Sequence, residues 1–200
     1  MSGSRSQNAR YRQLFAAWND LLPALAVLRA QQFLAEFHEH GPAWIILGIV
    51  LTDLARYEEA EQALKQAIRL CPKKPELAFN NMGHLYRERG DYVQAAKWYR
   101  KAIAADPHDA TSYIFFGAIL AKQGRLHESE ETHRTATKCP KGCIDEAFLN
   151  LGLVLRSQER FEEAAKCFRE AIRLTPDYRD ARQALRDTTR CLKLLRSRSS

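Results

Sequence analysis

The chain has 200 residues, of which 46% are hydrophobic and 28% charged, with nine Gly and seven Pro. That balance supports a buried core and excludes a disordered or linker-like chain. Five Cys, an odd number, exclude a secreted disulfide framework and point to a reducing cytoplasm. No uncharged apolar run reaches ~18 residues, so no membrane span is expected. The net charge of +7 is uneven: residues 177–200 hold seven Lys/Arg against three Asp.

The first predicted element lies in residues 8–40. Leu14, Phe15, Trp18, Leu21, Leu22, Leu25, Leu28, Leu34 and Phe37 recur at helical spacing. Arg5, Arg10 and Arg12 precede an apolar stretch, but Asn19 and Asp20 interrupt it, so it does not read as a leader. Pro23 either kinks one long helix or opens a second, and Gly41-Pro42 closes the segment. Residues 1–40 read as a degenerate capping repeat. The alternative is a helix folded against a binding groove.

A period follows. Gly48, Gly83, Gly117 and Gly152 are spaced by 35, 34 and 35 residues. Four residues before each stands an aromatic, Trp44, Phe79, Tyr113 or Phe148. Further on recur a small residue (Ala60, Ala95, Ser129, Ala164), a bulky one (Leu64, Tyr99, His133, Phe168) and an alanine (Ala67, Ala102, Ala136, Ala171). Pro72, Pro107 and Pro176 close three of the units. Each unit is expected to be two antiparallel helices, over 41–74, 76–109, 110–144 and 145–178. Gly and Ala mark where the two backbones approach closely, and Pro ends the second helix. Turns are predicted near Leu54–Tyr57, Arg89–Tyr92, Gly124–Leu126 and Glu159–Phe161. The third unit departs most, with Ser129, His133 and Lys141 in unusual places. Its second helix is expected to end loosely, with an extended turn through Cys139–Cys143.

Residues 177–195 predict a last helix. Ala181, Leu185, Thr188, Leu192 and Leu195 form a covering face, and Arg182, Arg186, Arg190 and Lys193 a neighbouring basic stripe. Residues 196–200 are expected to fray. The stripe fits an acidic partner, nucleic acid or an anionic membrane surface; a solvated face is the simpler account.

The pattern W-x2-L-G-x2-L in Trp44 to Leu51, A-x3-L in Ala60 to Leu64, and Pro72 resembles the tetratricopeptide repeat (TPR), over residues 41–176. The resemblance implies an all-α, right-handed superhelical solenoid of antiparallel helix pairs with N- and C-terminal capping helices. It also implies a non-catalytic scaffold that binds a peptide or helix of a partner in a concave groove lined by the first helix of each unit. By the same resemblance, Ile45 and Ile49, Asn80 and His84, Ile114 and Ala118, and Leu149 and Leu153 face that groove. The strip is mostly apolar, so a partner with an apolar segment is expected. Asn80, Asn81, His84 and Arg87 place a polar patch in it. Helices reading WIILGIVL, YIFFGAIL and FLNLGLVL are apolar almost all round and need a second cover, either a partner or the N-terminal segment.

One TPR subclass clamps the acidic tails of chaperones with Lys, Asn, Asn, Lys and Arg. The matching positions here read Ile45, Ile49, Asn81, Thr111 and Phe115 in one register, and Asn80, His84, Phe115, Glu146 and Asn150 in the other. Neither supplies cations for paired carboxylates, so that subclass is rejected. Cys139-x3-Cys143 with His133 lacks a fourth zinc ligand nearby, and His38 and His40 beside Glu36 and Glu39 read as water-facing. Cys71, Cys167 and Cys191 read as small buried hydrophobes. No phosphate loop or catalytic triad signature is found, and no cofactor or metal is expected.

Overall fold

A computed structural model describes residues 2–198, with side chains described for 6–195 and 197. Among these residues the chain is all-helical: α1 (Ser2–Asn19), α2 (Pro23–Glu36), α3 (Gly41–Asp53), α4 (Tyr57–Leu70), α5 (Glu76–Glu88), α6 (Tyr92–Ala105), α7 (Ala110–Lys122), α8 (Leu126–Ala136), α9 (Ile144–Ser157), α10 (Phe161–Leu174) and α11 (Arg179–Arg198). The helix continues through residues 196–198, where fraying was expected; Ser199 and Ser200 lie outside the described residues.

The helices form two compact halves, Met1–Ala105 and Asp106–Ser200. Within the first, α1 packs with α2, α3 with α4 and α5 with α6; within the second, α7 packs with α8, α9 with α10, and α11 lies on α10. Successive pairs stack through α2 on α3, α4 on α5 and α8 on α9, and the first helices also touch, α3 with α5 and α7 with α9.

The four predicted turns are present, and the N-terminal segment carries a fifth of the same build. Leu21, Ala55, Gly90, Gly124 and Glu159, each the middle residue of a three-residue turn, have φ of 53, 57, 80, 75 and 61°. The next N–H then reaches back to a helix carbonyl: Leu22 to Ala17 at 3.1 Å, Arg56 to Leu51 at 2.8 Å, Asp91 to Tyr86 at 2.9 Å, Arg125 to Leu120 at 2.9 Å and Arg160 to Leu155 at 3.0 Å. This closure satisfies carbonyls the helix end leaves open. Gly90 and Gly124 adopt the left-handed backbone freely, whereas Leu21, Ala55 and Glu159 do so against a cost of about 1–2 kcal/mol each. The second helices of three pairs then begin with a repeated clasp. Arg56, Arg125 and Arg160 donate through Nε to Glu59, Glu128 and Glu163 at 2.8, 2.6 and 2.7 Å.

The pairs close on a contact between residues sixteen apart. A Cβ added to Gly48 would lie 2.5 Å from Leu64 Cγ, one on Gly83 2.5 Å from Tyr99 Cε1, one on Gly117 2.6 Å from His133 Cε1, and one on Gly152 2.5 Å from Phe168 Cε1. The bulky partner therefore occupies the space the glycine vacates. The N-terminal pair inverts the arrangement. Leu14 and Ala30, also sixteen apart, are both fully buried, with the large residue on the first helix and the small one on the second. Arg10 Nη1 meets Glu36 Oε1 at 2.8 Å and Arg29 Nη1 donates to Gln13 Oε1 at 3.4 Å, pairings that run in opposite senses along α1 and α2. The pair is antiparallel, and it stacks on α3 as the later pairs stack on their successors.

In the third repeat, α8 has 11 residues where α4, α6 and α10 have 14. The connection after it is extended, as the sequence suggested, but it is not loose. Ala110 N–H donates to Lys141 O at 3.0 Å, Asp109 and Lys141 form an isolated bridge, and the Lys141 ammonium pairs with Asp106. Ser129, in place of alanine, is buried and donates to Gly117 O at 2.8 Å, so its hydroxyl is satisfied. Glu130, 8% exposed, accepts from Arg134 Nη2 at 2.8 Å and Arg160 Nη1 at 2.7 Å. Burial would raise its carboxyl, but these donors outweigh that and hold it below the usual range.

Two expectations follow. Gly83→Leu overpacks the contact with Tyr99 and Tyr99→Ala empties it, each at a cost of several kcal/mol. Combined, they reproduce the Leu14–Ala30 arrangement, so chemical denaturation of the double variant should show at least ~1 kcal/mol less destabilisation than the two costs added. Strict additivity would mean that the two positions do not share one space.

His133 is 1% exposed, its Nδ1 has no hydrogen-bond partner among the described residues, and burial pushes its pKa down to about 4. The unfolded imidazole titrates near its ordinary 6.5, so the unfolded chain binds the proton first. Stability contributed by the neutral ring is therefore complete above pH ~6.5 and is lost as pH falls towards ~4, amounting to roughly 3 kcal/mol. His133→Phe, the residue type of the fourth repeat, should flatten that part of the profile. Denaturant midpoints of the two proteins measured from pH 7.5 to 4 will check it.

Candidate functional site

The first helices of the repeats pack side by side within each half, α3 with α5 and α7 with α9. The sequences of α3, α7 and α9 are apolar nearly all round because three faces are used. α3 buries Ala43, Ile46, Leu47, Val50 and Leu51 among residues of α1, α2 and α4. The N-terminal pair thus supplies one of the covers that α3 needs, and it does so as a stacked helix pair.

The residues expected to line the groove divide into two sets. Ile45, Ile114 and Leu149 are 6%, 2% and 7% exposed. Ile45 packs with Ala67 and Ala78, Ile114 with Ala110, Ala136 and Ala147, and Leu149 with residues of α9, α10 and α11. These positions look towards the next helix pair, so they serve the stack, and substituting them would cost stability. One turn later, Ile49, Ala118 and Leu153 are only half-buried and offer an accessible apolar surface.

The polar patch lies on α5. Asn80, Asn81, His84 and Arg87 are all half-buried. Asn81 Nδ2 donates to Leu77 O at 2.8 Å, which commits one of its two N–H groups within its own helix. Arg87 Nη2 lies 2.6 Å from His84 Nδ1 and donates to Glu88 Oε1 at 2.9 Å. Burial, and then the Arg87 cation, pull the His84 pKa below its ordinary value, so a neutral imidazole accepts from the guanidinium.

On α11, Ala181, Ala184 and Thr188 are buried, while Arg182, Arg186, Arg190 and Lys193 lie on the more accessible side. Arg182 Nη2 lies 3.4 Å from Asp177 Oδ1, and Arg186 donates to Gln183 Oε1 at 2.6 Å. His40, expected to face water, instead accepts from Ala43 N–H at 3.2 Å as the cap of α3, with its ring 4.6 Å from Tyr11 and 5.0 Å from Phe33. Cys71, Cys167 and Cys191 are half-buried, less enclosed than expected. Among the described residues no group of three or more His, Cys, Asp or Glu is arranged to hold a metal ion, and no helix is long and apolar enough to cross a membrane.

Two features escaped the sequence. Large apolar side chains are exposed on the N-terminal pair, at Phe15, Leu21, Leu22, Leu25 and Leu28, where a cap would carry a polar outer face. A cavity of about 360 Å3 also opens between α7 and α9, lined in part by Ala118, Ala121, Lys122, His133 and Leu153. Its signal was present as alanines at columns filled by larger residues in the other repeats.

Residues 39–108, 80–142 and 145–178 each match the tetratricopeptide repeat family. The chain is a tetratricopeptide-repeat protein. Proteins of this family generally mediate protein–protein interactions. This TPR chain is 30% identical over 193 residues to stress-induced-phosphoprotein 1 of Caenorhabditis elegans, covering 94% of the present chain and 53% of the relative. It therefore spans about half of that relative's length. A thermophilic TPR protein of Thermus thermophilus superimposes with a TM-score of 0.69 at 17% identity, over 92% of this chain and 98% of that one. YrrB, described as a TPR protein with an unusual peptide-binding site, superimposes with a TM-score of 0.60 at 21% identity, over 86% and 87% of the two chains. Both likenesses concern the fold.

Proposed function

We propose that this TPR protein is a non-catalytic scaffold whose first helices bind an apolar peptide or helix of a partner protein. The observation that carries this reading is that each half leaves apolar residues half-buried on its first helices, Ile49 on α3 in one and Ala118 on α7 with Leu153 on α9 in the other, while the other faces are occupied by the core. A side chain buried there by a ligand contributes roughly 1.5–3 kcal/mol. In a peptide selected by display on the whole chain, Ile49→Asp and Leu153→Asp should each weaken binding about tenfold or more. Both side chains also pack partly against the core, so melting temperatures should fall, and affinities are compared at a temperature where each variant is folded. Unchanged affinity in both variants would remove the surface from the mechanism.

On this reading the partner is not an acidic chaperone tail. The clamp positions contain no Lys or Arg in either register, and one of them is Glu146, half-buried on α9. Burial, and then the neighbouring Asp145, raise its carboxyl pKa, which marks a site already poor in positive charge. Calorimetry at moderate salt with a peptide ending in acidic residues and a free carboxylate should show no saturable heat. Micromolar binding that is lost on Asn81→Ala would reverse this exclusion.

A further inference from the structure

The cavity in the third repeat is written into the sequence at three columns. Ala118 stands where the other repeats carry Ile49, His84 and Leu153, and Ala121 where they carry Thr52, Arg87 and Arg156. Both alanines are on α7, and both line the cavity. From α8, His133 contributes to the lining in the column of Leu64, Tyr99 and Phe168. Side-chain volume is thus removed twice at one place on a face that the other repeats fill, and all the lining residues belong to the C-terminal half.

The chemistry of the walls selects an occupant. Ala118, Leu153 and Val154 are apolar. A space of about 360 Å3 lies in the range of small-ligand sites, roughly 300–1,000 Å3, and far exceeds a single water at about 30 Å3. It can hold one large side chain with its flanking backbone. At the margin stands Lys122, exposed and without an ion pair among the described residues, and no carboxylate is among the residues that line the cavity. Asn150, also on the lining, donates through Nδ2 to Glu146 O at 3.0 Å. The His133 ring, neutral because burial depresses its pKa, adds a nearly enclosed imidazole whose Nδ1 has no protein partner among the described residues.

We propose that this cavity is the specificity pocket of the binding surface, and that it takes one aromatic side chain of a partner segment with a carboxylate beside it. The proposal rests on the scaffold reading above and names the ligand chemistry within it. The apolar walls desolvate the ring, and Lys122 attracts the adjacent carboxylate and disfavours a cation at the same place.

Three capped dipeptides test it on the full chain: N-acetyl-Phe-Glu-amide, N-acetyl-Phe-Lys-amide and N-acetyl-Ala-Glu-amide. The readout is NMR of the Ala118 methyl and the His133 ring. Phe-Glu should shift both signals saturably, Phe-Lys should bind at least about tenfold more weakly, and Ala-Glu should leave both signals in place. Ala121→Arg, which restores the type found in the second and fourth repeats, should abolish the Phe-Glu shift. Lys122→Glu, at an exposed position, should invert the preference between Glu and Lys even if the first variant fails to fold. Equal binding of the two Phe peptides, no saturable shift with any of them, or persistence of the shift in folded Ala121→Arg would each overturn the proposal. Ile49 belongs to the other half and is not among the lining residues, so the outcomes separate: a display-selected peptide that responds to Ile49→Asp while the dipeptides leave His133 unmoved would retain the scaffold and eliminate the pocket. Saturable dipeptide binding, with a display-selected peptide indifferent to both Ile49→Asp and Leu153→Asp, would retain the pocket and eliminate the wider surface.

Discussion

Each of the four repeats is held at close approach by one contact, in which a side chain on the second helix fills the space over a glycine sixteen positions earlier on the first. The partner is Leu64, Tyr99, His133 or Phe168, and a methyl group on the glycine would sit within van der Waals radii of it. Interiors packed this densely leave no slack for both positions to be large. The rest follows from the distance so set. The three-residue turns with a left-handed middle residue fit only closely spaced antiparallel helices, and the alanines at 60, 95, 164 and 67, 102, 136, 171 are buried at the same seam.

The same constraint explains how an apolar strip stays accessible on the first helices. A first helix that is backed by its partner and flanked by its neighbours has one free strip. Residues one turn apart on it fall on different sides of the division: Ile45, Ile114 and Leu149 go to the stack, while Ile49, Ala118 and Leu153 retain access to solvent. Apolar residues serve both purposes, which is why these helices read as apolar without a polar face. At the turns and on the second helices, Arg56, Arg125 and Arg160 clasp their glutamates and Glu130 gathers two arginines.

The third repeat shows the tolerance of the arrangement. Its bulky residue is an imidazole with an unsatisfied nitrogen, its small residue is a serine, and its second helix is short. Each departure is offset locally: the serine hydroxyl finds Gly117 O, and the connection after α8 is tied to residues 106–110 by backbone and charge. The imidazole remains the exception, and it lies beside the one place where α7 gives up side-chain volume on the accessible face.

From the sequence alone came the helical class, the period, the four turns and the columns that pack, because glycine, alanine, aromatic and proline act through local sterics and recur in register. The N-terminal pair was legible as helices but not with certainty as a stacked pair. Its seam positions exchange large and small at Leu14 and Ala30, both buried in one cluster, and a pattern that tracks glycine cannot see the exchange. Likewise Ile45 and Ile49 are chemically alike, and only the position of the neighbouring pair decides that one is core and the other accessible. The cap made by His40 and the cavity beside Ala118 depend on side chains distant in sequence meeting in space. Tertiary structure decided these, since burial is a property of what surrounds a residue and not of the residue itself.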